Sequence, residues 1–265
     1  MSEKAKSATG PMTGLATSNR DRIIVRDKDL MKDLIGKLTF TEMAIFLILG
    51  RSPTAAETTI VDAVMVTLME HGMTPAALAT RFVNFSAPEA MQGAVAAGLL
   101  AVGSNLVGTM EGMARNLQEI VADPAGIEAA SRRIARTHRE AGLAVPGFGH
   151  PIHRPDDPRS PRLIEVAQQA GVKGTYISAL NVLAREVDAA YGRHLTINAT
   201  GAIGAVLSEI GVPWTLMRGF AIISRAAGLV AHIHEERQKP AAPTLWHLCE
   251  EAVPYAGTVQ LPKDR

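Results

Sequence analysis

Residues 219–231, GFAIISRAAGLVA, and residues 60–72, IVDAVMVTLMEHG, are the two segments that decide the fold. Both are apolar on nearly every side of a helical projection, and neither shows the alternation of a surface strand. A helix of this composition is buried on most faces, either in a large core or at a subunit interface. We therefore expect two central helices.

The flanking segments also have helical patterns. In ISALNVLAREVDAAYG, which starts at Ile177, apolar residues recur at helical spacing and Gly192 is placed to end the helix. Residues 38–50, the stretch from Pro53 to Gly72, and residues 75–85 are further predicted helices. Strand-like alternation is scarce, so the sequence predicts an all-α protein.

The composition is that of an ordinary globular protein. The 265 residues are 47% hydrophobic and 20% charged, with a net charge of +1, which gives no electrostatic reason to expect nucleic acid or a membrane surface as partner. The single cysteine, Cys249, excludes an internal disulfide framework. We found no secretion signal and no long apolar run, and we expect a cytoplasmic protein.

Two regions lack a helical pattern. Residues 1–20 are small and polar, which predicts a flexible tail or an arm laid over a partner subunit. Residues 144–163, AVPGFGHPIHRPDDPRSPRL, contain five prolines and two glycines, which forbid regular structure. A long loop of this kind is usually functional or disordered.

Within this loop, Gly147 and Gly149 let the backbone approach a ligand beside His150. The alternative is a turn with a structurally satisfied histidine. His150 and His153 are three residues apart and precede two aspartates, but on a proline-rich loop this spacing does not fix a common face. We therefore expect no metal site.

Three further residues could carry chemistry. His71 ends a helix, where it either stabilises the helix dipole or faces a site. Arg225 is the only charge between residues 219 and 231, so it either forms a structural salt bridge or faces a cavity that receives an anion. Arg159 could bind an anion or lie in solvent. No serine elbow, phosphate loop or dinucleotide pattern is present.

Taken in order, these segments resemble the citrate synthase superfamily, and most closely its citryl-CoA lyases. The resemblance covers about residues 30–250. It rests on the following stretches: LTFTEMAIFLILGRSPT, MEHGMTPAALATRFV, GLLAVGSNLVG, VPGFGHPIHRPDDPR, LTINATGAIGAVLSEIG and FAIISRAAGLVAHIHEE. It implies a helical homodimer or higher homo-oligomer, with a large domain (21–108 and 211–265) and a small domain (109–210).

The resemblance also implies roles for particular residues. His71 and His150 match the histidines beside the oxygen-bearing carbon of the substrate. Arg159 and Arg225 match arginines that bind substrate carboxylates. The segment Pro146, Gly147, Phe148 and Gly149 matches the backbone that borders CoA. The implied ligands are an acyl-CoA thioester and a 2-oxo acid, with no bound cofactor.

Three positions depart from the family pattern. Thr200 occupies the place of the catalytic aspartate, and a hydroxyl is no base at neutral pH without help. Leu106 occupies the place of the histidine that stabilises the enolate in citrate synthases, which the lyases also lack. The arginine that the family donates across the dimer either appears here as Lys239 before Pro240, which keeps the charge but loses the bidentate fork, or is missing.

The resemblance thus implies cleavage of a citryl-CoA-like 3-hydroxy-3-carboxyacyl-CoA to a 2-oxo acid and acetyl-CoA, or the reverse. His71, His150 and Thr200 are the predicted catalytic residues, and Arg159, Arg225 and Lys239 the predicted carboxylate-binding residues. One alternative is a regulatory relative that binds an acyl-CoA or a dicarboxylate without turnover, which would explain the missing aspartate. Another is a CoA-dependent enzyme of altered chemistry.

Overall fold

The computed structural model describes residues 10–258 and confirms the all-α prediction. Eleven α-helices lie in this part of the chain. In chain order they are α1 (Phe40–Leu49), α2 (Ala55–Met69), α3 (Pro75–Ser86), α4 (Met91–Leu100), α5 (Thr109–Ala122), α6 (Ile127–Glu140), α7 (Arg159–Gln169), α8 (Thr175–Tyr191), α9 (Ala199–Glu209), α10 (Met217–Gln238) and α11 (Ala242–Ala252).

The helix boundaries have local causes. Thr39 and Thr54 each cap a helix through a hydrogen bond from a backbone amide three residues on, and the glutamates at those positions bond back in a capping box. Gly192 ends α8 with φ of 65°, a left-handed conformation that glycine adopts without steric cost. The predicted helices over 38–50, from Pro53 to Gly72 and over 75–85 correspond to α1, α2 and α3.

A small antiparallel sheet precedes the helices, in the order β1 (Ala16–Ser18), β2 (Ile23–Val25) and β3 (Lys28–Asp29). The Asn19 side chain makes the first turn by accepting hydrogen bonds from the amides of Asp21 and Arg22. The sheet differs from the tail predicted over 1–20, because hairpin pairing orders its last residues. Residues 1–9 lie outside the described part of the chain.

Most of the helices share one hydrophobic core, and a smaller cluster of Val25, Leu34 and Phe46 lies between the sheet and α1. Helix α10 packs against α2, α3 and α4, while α6 packs on α8, and α5, α7 and α8 pack on α9. The buried cluster runs from Ile45 through Met113 and Leu180 to Phe220 without interruption. The core therefore crosses the predicted boundaries at 108 and 210, and the division into two domains stays a prediction.

The two predicted central helices, α2 and α10, are buried along one face rather than all round. Ile60, Val64 and Leu68 of α2 are buried, whereas Val66 is 71% exposed, and Ile222 and Val230 of α10 are also exposed. The segment Trp214–Gln238 is long and apolar enough to cross a membrane, but half of its most apolar window is buried in the protein. A core helix has the same properties.

Candidate active site

A cavity of about 920 Å³ lies between the end of α2, the proline-rich loop, the start of α9 and α10. All but one of the predicted site residues line it, namely His71, Pro146, Gly147, Phe148, Gly149, His150, Arg159, Thr200 and Arg225. The exception is Lys239, which is exposed beyond the end of α10. Segments far apart in sequence thus share one pocket.

Two glycines fold the proline-rich loop against α9. Gly147 and Gly149 have φ of 82° and 79°, which other residues rarely adopt. The Asn198 amide donates to the Gly147 carbonyl over 3.0 Å, and the Asn198 side chain donates to the Gly149 carbonyl over 2.8 Å. A Cβ on Gly147 would lie 2.8 Å from Gly201 Cα, so the two backbones touch.

The loop fixes the protonation of His150. Its Nδ1 accepts hydrogen bonds from the amides of Ile152 and His153, over 3.1 and 3.0 Å. In the neutral ring the hydrogen must then be on Nε2. This atom lies 3.3 Å from Arg159 Nη2, and two donors cannot bond each other. The Nε2 hydrogen is therefore available to a ligand.

His71 lies just beyond the end of α2, where Glu70 holds the turn. The carboxylate Oε1 of Glu70 accepts hydrogen bonds from the amides of His71 and Gly72, over 2.9 and 2.5 Å. The His71 ring then lies against His150 and His153, with centroid separations of 5.7 and 5.6 Å. Glu70 thereby sets the position of the imidazole.

Two of the lining histidines, His71 and His150, have lowered pKa values, which favours the neutral imidazole. Burial, followed by the charges of Arg159, His153 and Arg225, lowers the pKa of His71. Burial, His153 and Arg159 lower the pKa of His150. Because these imidazoles keep their free lone pairs or N–H groups at pH 7, they suit general acid–base chemistry.

His153 is the site residue that sequence reasoning passed over. Its ring lies 4.4 Å from that of His150, and its Nε2 is 3.3 Å from His71 Nε2. The two loop histidines therefore share a face, which their spacing on a proline-rich loop alone does not fix. The sequence HPIH could have indicated His153, but only the folded loop shows that its ring lies beside those of His150 and His71.

One ring nitrogen from each of these three histidines lies within 4.8 Å of the others, a spacing that a metal ion could use. Two features oppose this use. His150 Nδ1 is already occupied by two amides. The charges of Arg159 and Arg225, which lower the pKa of His71, also repel a cation. The arrangement suits proton transfer beside an anion better than metal binding.

Thr200 is held in place by polar neighbours. Its hydroxyl donates to Asn198 Oδ1 over 2.6 Å and lies 2.7 Å from the Thr109 hydroxyl. Asn198 is the N-cap of α9, so Thr200 stands in the first turn of that helix. A hydroxyl that donates to Asn198 keeps lone pairs that can accept a hydrogen bond from a ligand. The catalytic role of Thr200 stays a prediction.

Arg159 is paired with an aspartate behind the cavity. Its Nε and Nη2 donate to Asp157 Oδ1 and Oδ2, over 2.9 and 2.7 Å, in a bidentate pair. Burial of Asp157 opposes its ionisation, but hydrogen bonds from Arg159 and Ala199 hold the pKa of the carboxyl below its usual value. The aspartate is therefore ionised and balances the guanidinium charge.

Arg225 differs, because it has no such partner. Only 5% of the residue is exposed, and its Nη1 is buried without a hydrogen bond among residues 10–258. Burial lowers the pKa of this guanidinium, while the nearby Glu70 charge opposes that effect. Arg225 therefore lines the cavity, and its binding of an anion stays a prediction.

A polar cluster behind the cavity was not predicted. Arg81 of α3, only 1% exposed, donates to His232 Nδ1 over 3.0 Å and to Glu236 over 2.8 Å, and also pairs with Glu235. His232 Nε2 lies 2.9 Å from Glu70 Oε2, although not in good hydrogen-bond alignment. The cluster therefore extends from α3 to the carboxylate that holds His71.

Comparison with known proteins agrees with this geometry. A model of the citrate synthase C-terminal domain matches residues 32–244. Citryl-CoA lyase from Hydrogenobacter thermophilus is 32% identical in sequence to this chain. The match covers 95% of this chain and 97% of the lyase chain, with a TM-score of 0.82.

Two more distant structures share the fold. ATP citrate lyase from Methanothrix soehngenii, solved with citrate and coenzyme A, has 17% identity over 97% of this chain and 43% of its own, with a TM-score of 0.79. Citrate synthase from Pyrobaculum aerophilum is 20% identical. The match covers 86% of this chain and 54% of that chain, with a TM-score of 0.63. The domain match and the likeness to the 32% identical lyase show that the chain belongs to the citrate synthase family.

Proposed function

We propose that this protein cleaves a 3-hydroxy-3-carboxyacyl-CoA to a 2-oxo acid and acetyl-CoA, or catalyses the reverse condensation. The observation that carries the proposal is the meeting of His71, His150 and the unpaired Arg225 in one cavity. The 32% identical citryl-CoA lyase supports this class of reaction. The CoA thioester is a substrate rather than a resident cofactor.

The protonation states suggest how the work is divided. In the cleavage direction His71 accepts the proton of the substrate hydroxyl, and the His150 Nε2–H stabilises the oxygen as it becomes a carbonyl. The carbon–carbon bond then breaks and its electrons form the thioester enolate. The proton held by His71 returns to the enolate carbon, which gives acetyl-CoA. No additional reactant is consumed.

The other cavity residues hold the two ends of the substrate. Arg225 binds a carboxylate, because a buried guanidinium without a partner gains most from an anion. Arg159 adds hydrogen-bond donors beside His150. The segment from Pro146 to Gly149 borders the CoA moiety, where its glycines permit close backbone contact. Thr200 orients the thioester.

A second candidate is a protein that binds an acyl-CoA or a dicarboxylate without turnover. The observation that favours it is that no aspartate or glutamate of residues 10–258 lines the cavity. Loss of the carboxylate base would remove catalysis and leave binding intact. The two imidazoles with lowered pKa values favour the enzyme, since binding alone needs no proton acceptor.

We also propose a homodimer that works in the cytoplasm. The exposed apolar side chains of α2 and α10, including Val66 and Val230, would be covered by a second subunit. Lys239, exposed at the end of α10, would then be free to approach the partner's site. Sedimentation analysis of the purified chain tests the assembly directly.

The function is tested by incubating the purified protein with citryl-CoA or another 3-hydroxy-3-carboxyacyl-CoA, and separately with acetyl-CoA and 2-oxo acids. Release of acetyl-CoA or of free thiol is then followed. Positioned acid–base groups contribute about 10²- to 10⁴-fold, so His71→Ala and His150→Ala should each lower kcat/KM by that factor. His247→Ala, which removes an exposed imidazole, is the matched control.

Two results separate the candidates. Turnover that His150→Ala removes and His247→Ala leaves intact supports the enzyme. Binding of CoA thioesters by calorimetry, with no product from any substrate, supports the binding protein. Thr200→Asp then asks whether a carboxylate alone was missing, because it would create turnover in an otherwise inactive protein.

A further inference from the structure

His153 contacts the proposed base, His71, from outside the cavity. The Nε2 atoms of the two rings lie 3.3 Å apart, within hydrogen-bonding distance. His71 lines the cavity, whereas His153 is not among the lining residues. In the described part of the chain the His71 ring makes no other hydrogen bond, so its Nδ1 is the nitrogen left for a ligand.

The contact between the two neutral rings contains one hydrogen and has two arrangements. In the first, His71 Nε2–H donates to the lone pair of His153 Nε2, and His71 Nδ1 keeps its own lone pair. In the second, His153 Nε2–H donates to His71 Nε2, and His71 Nδ1 then bears the hydrogen. Only the first arrangement lets Nδ1 accept a proton from a substrate. The tautomer of His71 therefore decides whether this residue is a base.

The cations around the cavity favour the first arrangement. Besides burial, the charges of Arg159 and Arg225 lower the pKa of His71, and Arg159 does so although it is paired with Asp157. Both arginines line the cavity that His71 lines. Near two positive charges, a ring nitrogen with a lone pair is more stable than one that presents a partly positive N–H group. The hydrogen of His71 is therefore expected on Nε2, where His153 accepts it.

We infer that His153 is a positioning residue, which holds His71 in the tautomer with hydrogen on Nε2 and a free lone pair on Nδ1. This role rests on the proposed function, since a protein that only binds its ligand needs no base. An acceptor behind a catalytic histidine fixes the tautomer in the same way in the serine hydrolases, where it is a carboxylate. Lys239 from a second subunit would add positive charge and favour the same tautomer.

The proton balance of the reaction is unchanged by this role. His71 Nδ1 takes the proton of the substrate hydroxyl, while the Nε2–H bond to His153 stays in place and stabilises the imidazolium. The carbon–carbon bond then breaks and its electrons form the enolate. The proton on Nδ1 passes to the enolate carbon, and His71 returns to its starting tautomer. His153 gains and loses no proton.

The His153 side chain can be changed without releasing the loop. Its backbone amide, rather than its ring, donates to His150 Nδ1, so a substitution keeps this bond. His153→Phe keeps an aromatic ring beside His150, whose ring centroid is 4.4 Å away, and removes the acceptor nitrogen. His153→Gln supplies an amide oxygen that can accept the hydrogen bond from His71.

Kinetics of these variants, with citryl-CoA as the first probe, measure the role. We expect His153→Phe to lower kcat about 10- to 100-fold, because a hydrogen bond to a charged group is lost. KM should stay within about threefold, since His153 does not line the cavity. His153→Gln should recover kcat to within about fivefold. The exposed His247→Phe is the matched control.

NMR of the protein with isotope-labelled histidine reads the tautomer directly. Two-bond nitrogen–proton correlations distinguish hydrogen on Nδ1 from hydrogen on Nε2, and the signals that His71→Ala removes belong to His71. We expect hydrogen on Nε2 in the unsubstituted protein and in His153→Gln, and a mixture of tautomers in His153→Phe.

The results separate this role from the proposed function. Hydrogen on Nδ1 of His71, a rise in KM as large as the fall in kcat, or no recovery in His153→Gln overturns the role of His153 while turnover by the unsubstituted protein still supports the lyase. If the unsubstituted protein cleaves no thioester, the proposed function is wrong, and the catalytic role of His153 is wrong with it, whichever tautomer His71 adopts.

Discussion

Two buried arginines, Arg81 packed against α10 and Arg225 within it, have opposite surroundings. Arg81, 1% exposed, is bonded by His232, Glu236 and Glu235, and these bonds outweigh burial and raise the pKa of its guanidinium. Arg225, 5% exposed, has no carboxylate partner within the described residues 10–258, and burial lowers its pKa. A buried charged side chain is thus not by itself a sign of function, whereas a buried charged side chain without an ion-pair partner is.

The largest effect that this comparison predicts is on stability. Arg81→Met would leave Glu236 and His232 buried beside an apolar chain. Removing one member of a buried charge pair costs about 3–5 kcal/mol, so the free energy of unfolding should fall by about that amount. Urea denaturation measures it. An unchanged midpoint would show that Arg81 is not a structural residue.

Arg225→Met is the reciprocal change. We expect a loss of about 10- to 100-fold in kcat/KM, since hydrogen bonds to charged groups contribute about 1.5–3 kcal/mol. The midpoint of denaturation should stay the same or rise, because the variant removes an uncompensated buried charge. A protein that unfolds instead would place Arg225 in the same structural class as Arg81.

Glu70 stands between the two arginines and should give an intermediate effect. Glu70→Gln keeps an acceptor for the amides of His71 and Gly72 but removes the charge near Arg225. We expect kcat to fall about fivefold, which corresponds to about 1 kcal/mol. The reason is that weaker acceptance of the His71 and Gly72 amides displaces the His71 ring. Glu250→Gln on the exposed face of α11 is the control.

The smallest predicted effect is on pH dependence. A neutral imidazole is needed as base, and the pKa of His71 is lowered from 6.5. Activity should therefore persist below pH 6.5 and fall only as pH drops through the lowered value. Because the unfolded chain binds this proton first, stability declines as the pH falls from 6.5 toward the lowered pKa of His71, before activity is lost.

Arg225→Met sharpens the pH experiment. Loss of a nearby positive charge raises the pKa of His71, so the acidic limb of the kcat/KM profile should move to higher pH. Arg81 is not among the groups that shift this histidine, so conservative changes there should leave the limb in place. Equal shifts in both variants would remove the distinction between the two arginines.

Local patterns predicted the helices well because their causes are local. The capping threonines Thr39 and Thr54 and the glycine that ends α8 act within one turn of chain. The sheet at Ala16–Ser18 depends on pairing across a turn of small polar residues, a pattern that disorder shares. Composition alone could not separate the two.

The site was predicted in part. The glycine turn and the lone charge of α10 indicated His150 and Arg225, and the family resemblance indicated His71. The Arg81 cluster joins residues more than 150 positions apart. The pairing of Arg159 with Asp157 depends on the conformation of the loop. Neither leaves a periodic signal in the sequence.

The contact between Gly147 and Gly201 has a consequence for how the long thioester reaches the cavity. Even a methyl group at either position would collide with the other backbone, and Asn198 bonds the carbonyls of Gly147 and Gly149, so moving the histidine loop away from α9 would break these contacts. Leu106, Leu143 and Ile152 also line the cavity and are largely exposed. This apolar rim would then contact an entering thioester before the histidines do.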